Sequence, residues 1–148
     1  MTLLCPVPWL AAPHLTMNRI PDSPATFTST VDHERKQLRT EVVGRIDLSV
    51  VEGYIARKAN DGTLSYGDLL DARRAHTAVS AHDIQHVAGI VQRLSQGTPM
   101  GPVAIVVADN VTYGMTRMMA ALIEGTLSIQ PFHDVEKAEE WLNTLAQA

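Results

Sequence analysis

The stretch Pro102–Ala108, PVAIVVA, decides the fold. It is continuously apolar and rich in β-branched residues, the signature of a strand covered by helices on both faces, and so the best candidate for a central strand. Reading backwards, Gly97-Thr98-Pro99 terminates a helix that opens at Ser80 and runs to Ser95 or Gln96, with Asp83 placed for a capping-box arrangement. Ile84, Val87, Ala88, Val91 and Leu94 draw one apolar stripe along it. Tyr66–Ala72 (YGDLLDA) is short, apolar in its middle, and suits a strand. Before it, Asp47 offers a cap oxygen, and Leu48, Val51, Ile55 and Lys58 to Ala59 recur at helical spacing until Asn60-Asp61-Gly62 ends the run. Further upstream, ATFTSTVDHE and KQLRTEVVG lie between Ala25 and Gly44. They space Phe27 from Val31 and Leu38 from Val42 with polar residues between, which predicts an antiparallel pair.

Reading forwards from PVAIVVA, Asp109 caps a helix that carries Val111, Met115, Met118 and Leu122 on one face and stops at Gly125. Ser128–Phe132 is a last strand, and Asp134 caps a final helix through Val135, Ala138, Leu142 and Leu145, anchored by Trp141. The order β-β-α-β-α-β-α-β-α predicts an α/β fold. Its sheet is mixed and mostly parallel, with right-handed crossovers and an antiparallel strand at the start.

Composition agrees with one globular domain: 148 residues, 45% hydrophobic and 19% charged, which excludes a disordered, collagenous or disulfide-scaffold chain. Twelve Lys and Arg against sixteen Asp and Glu leave a net charge of -4 and no positive field for a nucleic acid. The apolar runs fall short of the ~20 residues of a transmembrane segment. A lone Cys5 has no internal disulfide partner, and the cytoplasm is the expected compartment. Residues 1–24 hold five of the eight prolines and no periodicity, so they are expected to form a flexible N-terminal tail ahead of a domain spanning 25–148. Leu3–Ala12 makes a poor secretory signal, because no basic residue precedes it and two prolines interrupt it; Met17 is an alternative start.

The element order, the strand GPVAIVVA (Gly101–Ala108), the following YGMTRMM (Tyr113–Met119) and the ending PFHDVEKAEEWL (Pro131–Leu142) resemble the small bacterial SpoIIAA-like proteins. That group shares a STAS-type fold and is often compared with CRAL-TRIO lipid-transfer domains. The resemblance covers about residues 25–145 and implies a non-catalytic regulatory or ligand-binding module. In the anti-sigma-factor antagonists of this superfamily, the strand before the second helix leads through an Asp-x-Ser-type motif into a helix whose N-terminal Ser is phosphorylated. Here eight residues separate Asp71 from Ser80, so the connection reads as longer and the expected serine is not in its usual place.

In a parallel α/β sheet, ligands meet the carboxyl ends of the strands and the helix N-termini beyond them. Three loops are expected on that rim: Asp71, Arg73, Arg74 and Ser80 on the first, Asp109, Tyr113 and Arg117 on the second, His133 and Asp134 on the third. Two adjacent guanidinium forks beside helix N-termini suit a carboxylate, a phosphate or an acidic partner; the plainer reading is of solvated loop charges with Asp71 as counter-ion. Asp109 and Asp134 read more plainly as helix caps, and Tyr113 with Arg117 as a local pair one turn apart. Met100, Met115, Met118 and Met119 make an adaptable apolar group that can accept a lipid tail or a partner helix, or can simply fill the core.

His82 and His86, at i and i+4, suggest a metal site and, as an alternative function, a small metal-dependent hydrolase. Their phase opposite the apolar stripe points them to water, with no third ligand evident, and no metal or other cofactor is expected. Neither a nucleophile elbow, nor a Cys–His pair, nor a phosphate loop is present. The expected partner is a protein or a small anionic or lipidic ligand at the strand-carboxyl edge; a homodimer is a further reading.

Overall fold

The structure, a computed structural model, describes residues 22–147. The expected tail therefore lies outside the described residues except for 22–24, where Pro24 bridges to Arg45. The described residues form β1 (Thr26–Asp32), β2 (Gln37–Ile46), α1 (Leu48–Asp61), β3 (Gly67–Thr77), α2 (Ala81–Ser95), β4 (Val103–Val106), α3 (Asn110–Leu122), β5 (Ile129–Phe132) and α4 (Val135–Gln147). The predicted order of elements is the order found. The five strands lie in sequence, β1-β2-β3-β4-β5, with β1 antiparallel to β2 and every later pair parallel.

A sequential strand order has a geometric consequence. Right-handed crossovers between neighbouring parallel strands carry each helix to the same side of the sheet. Accordingly α1, α2 and α3 share one face, where Ile55, Val87, Ala88, Val91 and Ile123 pack together above Val42, Leu70, Ala72 and Val103. Helix α4 follows the last strand and is free of that rule. It covers the opposite face, setting Ala138 and Leu142 against Leu69, Ala104 and Val106, with Trp141 tilted against Phe132 at 5.8 Å. Alternate residues of β4 thus enter different cores, which is why PVAIVVA is apolar throughout. The strand is interior, one place from the centre that β3 occupies.

The helix boundaries follow their caps. Asp47 accepts from Val50 N, Ser80 and Asp83 form a reciprocal capping box, and Asp109 accepts from Thr112 N. Gly62 closes α1 in the left-handed region at φ 73°, where a side chain would be strained.

Two sequence expectations need correction. β3 does not end at Ala72 but continues to Thr77, so Arg73 and Arg74 lie on a strand and not in a loop. A bulge between Glu41 and Val43 of β2 and Asp71 and Arg74 of β3 lets both Ala72 and Ala75 face the helices, while the two arginines emerge on the side that α4 leaves open. The second correction concerns α3. Its buried residues are Thr112, Thr116 and, at the end, Ile123, whereas Val111 is 67% exposed and Met118 and Leu122 are each 41% exposed. The helix is turned by roughly 100° from the predicted phase. The threonines can be buried because each hydroxyl is satisfied locally, Thr112 Oγ1 donating to Asp109 Oδ2 at 3.0 Å and Thr116 Oγ1 to the Thr112 carbonyl at 2.9 Å.

Candidate functional site at the strand-carboxyl rim

Because β2 to β5 are parallel, their carboxyl ends share one edge. Asp71, Val106 and Phe132 stand side by side in register across β3, β4 and β5. Just beyond that row the chain turns into α3 at Asp109 and towards α4 at His133 and Asp134, whereas β3 runs on to Thr77, so that Ser80 and the start of α2 stand roughly 20 Å past it. The rim is therefore set by strand register and helix caps together.

At its β3 end, Arg73 clasps Asp71: Nε donates to Oδ1 at 2.9 Å, NH2 to Oδ2 at 2.7 Å, and the Arg73 backbone N–H adds a longer bond to Oδ1. The Arg73 side-chain hydrogen bonds, with its backbone N–H and the charges of Arg73 and Arg39 in support, hold the Asp71 carboxyl below its ordinary value near 3.8 despite partial burial. A depressed acid stabilises the fold above the unfolded-state pKa, and that contribution disappears as pH falls through the lower folded value. Carboxyl-detected NMR should place the Asp71 midpoint under 3.8 in the wild type and move it upward in Arg73→Ala. An unchanged midpoint would detach the shift from the clasp. Arg74, exposed on the same strand opposite Val43, has no ion pair among the described residues.

Ser80 is engaged as a cap: its Oγ accepts from Asp83 N at 3.1 Å, and Asp83 Oδ2 accepts from Ser80 N at 3.0 Å. The hydrogen bond from the Ser80 N–H first, then the Ser80 side chain and the nearby His82 and His86, hold the Asp83 carboxyl below its ordinary value. Since β3 runs to Thr77, only Ala78 and Val79 separate the strand from Ser80, so the connection is short. Asp109 likewise serves as the cap of α3. Tyr113 does not pair with Arg117. It lies parallel to the His133 ring at 4.7 Å, while His133 Nδ1–H donates to the Val107 carbonyl at 3.2 Å. Arg117 is exposed one turn along α3. The nine predicted residues thus divide into the Asp71–Arg73 clasp on β3 with Arg74 beside it, three residues at helix starts (Ser80, Asp109 and Asp134, whose Oδ1 accepts from Glu136 N at 2.8 Å), and the Tyr113–His133 stack with Arg117 exposed one turn along.

His82 and His86 are exposed, and His86 Nε2 meets Glu52 Oε2 at 3.1 Å. Among the described residues no three His, Cys, Asp or Glu side chains converge as metal ligands.

Sequence reasoning missed a buried polar cluster between the sheet and α1. Asp68 is fully buried on β3, accepting from Thr40 Oγ1 at 3.0 Å and from the Tyr54 hydroxyl; Lys58 Nζ lies 3.7 Å from it and donates to Tyr54 Oη at 3.3 Å. Burial first, then the Asp68 charge and hydrogen bond, push the Tyr54 hydroxyl well above its ordinary range. Burial also lowers the Lys58 ammonium, outweighing the attraction of Asp68. Tyr54 stacks on Phe27 of β1 at 5.0 Å, tying the edge strand to α1. A signal was present in the sequence: Lys58 falls on the apolar spacing of its helix and Asp68 lies inside an apolar strand, two opposite charges each misplaced without the other.

This architecture is the SpoIIAA-like, STAS-type fold. No family model and no curated protein matches the chain. Among solved structures, it is similar to an uncharacterized protein of the DUF3478 family with a SpoIIAA-like fold from Shewanella loihica PV-4. That match has a TM-score of 0.52 and 17% identity and covers 80% of this chain and 94% of that one. It is also similar to an anti-sigma factor antagonist from Mycobacterium paratuberculosis, with a TM-score of 0.50, 17% identity, and coverage of 84% and 98%. At these identities the likeness is one of fold. Among the described residues no helix is long and apolar enough to cross a membrane.

Proposed function

We propose that this protein is a non-catalytic regulatory module that recognises a protein partner with the outer face of α3 and the adjoining strand-carboxyl rim. The observation that carries this is the exposed apolar line on α3. Val111, Met118 and Leu122 fall within about 40° of one another on the helix and are exposed by 67%, 41% and 41%. Apolar residues aligned on one face and bordered by polar groups mark an interaction surface more strongly than scattered ones do. The line starts at the rim, where Val111 stands two residues before Tyr113, and Arg117 directly precedes Met118 on the same exposed helix. The fold neighbour that is an anti-sigma factor antagonist supports a protein as the occupant.

The test compares the wild type with Val111→Asp/Met118→Glu, substitutions at exposed positions that leave both cores untouched. Affinity capture from the source organism's extract, read by quantitative mass spectrometry, should show a stoichiometric partner with the wild type and its loss with the double variant. Equal retention by both would overturn the reading. Light scattering adds a second arm: a wild-type dimer that becomes monomeric in the variant would make the partner a second copy of this chain.

A further inference from the structure

The sheet and the three helices above it do not meet fully. Between them lies a cavity of about 180 Å³, partly open to solvent, floored by Val42, Leu70 and Ala72 and roofed by Val91, Met115 and Met119. Protein interiors are packed nearly as densely as organic crystals, with few voids larger than a water molecule, so a space of this size is a structural feature and not ordinary slack. Empty, it deprives its walls of dispersion contacts that an occupant would restore.

The chemistry of the walls says what that occupant is. Five polar side chains line the cavity, and each already has a partner, Tyr54 through its hydroxyl on Asp68. Lys58 is held by Asp68 and Tyr54; Thr77 Oγ1 accepts from Val79 N; the Thr112 and Thr116 hydroxyls are bonded within their own helix. Every buried side-chain polar atom among the described residues has a partner. A water inside would lack the two to four partners that retain it, and apolar cavities of about 150 Å³ in other proteins stay dry and take up benzene or xenon. The one cation on the wall, Lys58, already faces the Asp68 carboxylate, so a carboxylate or phosphate would find no uncompensated positive charge there. The methionine walls are flexible and polarizable, suited to close around varied apolar shapes.

We propose that this cavity is a binding site for a small neutral apolar molecule, about the bulk of a benzene ring with a short alkyl chain. The site is distinct from the outer face of α3: Met115 and Met119 turn into it while Met118 turns away on the same helix.

Toluene is the probe, with melting temperature and methyl NMR as readouts. The wild type should show a saturable rise in melting temperature, with shifts concentrated on the methyls of Val42, Val91, Met115 and Met119. Val91→Phe and, independently, Ala72→Leu should each abolish both by filling the space; two variants on opposite walls keep the test readable if one folds poorly. Absence of saturable binding up to the solubility of toluene would overturn the proposal. So would binding that survives both fillings, or shifts centred on Met118.

Discussion

Asp68→Ala is expected to lower the unfolding free energy by about 3–5 kcal/mol, because removing one member of a buried ion pair leaves the other uncompensated. The loss has several sources. Lys58, with a side chain 8% exposed, keeps a charge with no counter-ion, and Tyr54 and Thr40 lose the acceptor they share. Equilibrium urea unfolding measures it, and the melting temperature should fall by roughly 10 °C or more. The double variant Lys58→Met/Asp68→Leu should recover a large part of the loss, since replacing a whole buried pair by apolar groups of similar volume is often near neutral. A single-variant cost under about 1 kcal/mol would show that the cluster contributes little net energy.

Gly101→Ala should be comparably severe, about 3 kcal/mol or more, through overpacking that no side-chain rotation can relieve. Gly101 donates its N–H to the Leu64 carbonyl at 2.9 Å, and a Cβ there would stand 2.2 Å from the Tyr66 carbonyl oxygen and 2.5 Å from that of Ser65. The obstacles are backbone atoms at the entrance to β3. The Asp68 N–H bonds the Pro102 carbonyl at 2.9 Å, so relief of the clash must pull β4 away from β3 where their pairing begins. Gly53→Ala is the matched control: its Cβ would meet nothing within 4 Å, and α1 should gain roughly 0.5–1 kcal/mol from the better helix former. Similar unfolding midpoints for the two variants would refute the steric account.

The element order was legible because each element carries a strong local signal. Ser80 with Asp83, Asp47 and Asp109 announce helix starts, and PVAIVVA announces a strand covered on both faces. What escaped depends on distant parts of the chain. Arg73-Arg74 reads as loop because a strand is expected to be apolar, yet α4 stops short of that part of the sheet and leaves the arginines in water. Thr112 and Thr116 read as polar until their hydroxyls are seen to be satisfied inside the helix, and that misreading turned Val111, Met118 and Leu122 inward. The parallel run of β2 to β5, which defines the rim, was legible. The pairings along it were not, because the Tyr113–His133 stack joins residues from two separate turns.

Helix α4 has a role in time as well as in space. Until it docks, Leu69, Ala104 and Val106 on the far side of the sheet have nothing to meet. A refolding intermediate that has laid α1 to α3 over one side before α4 arrives would present a sticky, half-clothed sheet to its surroundings and to copies of itself.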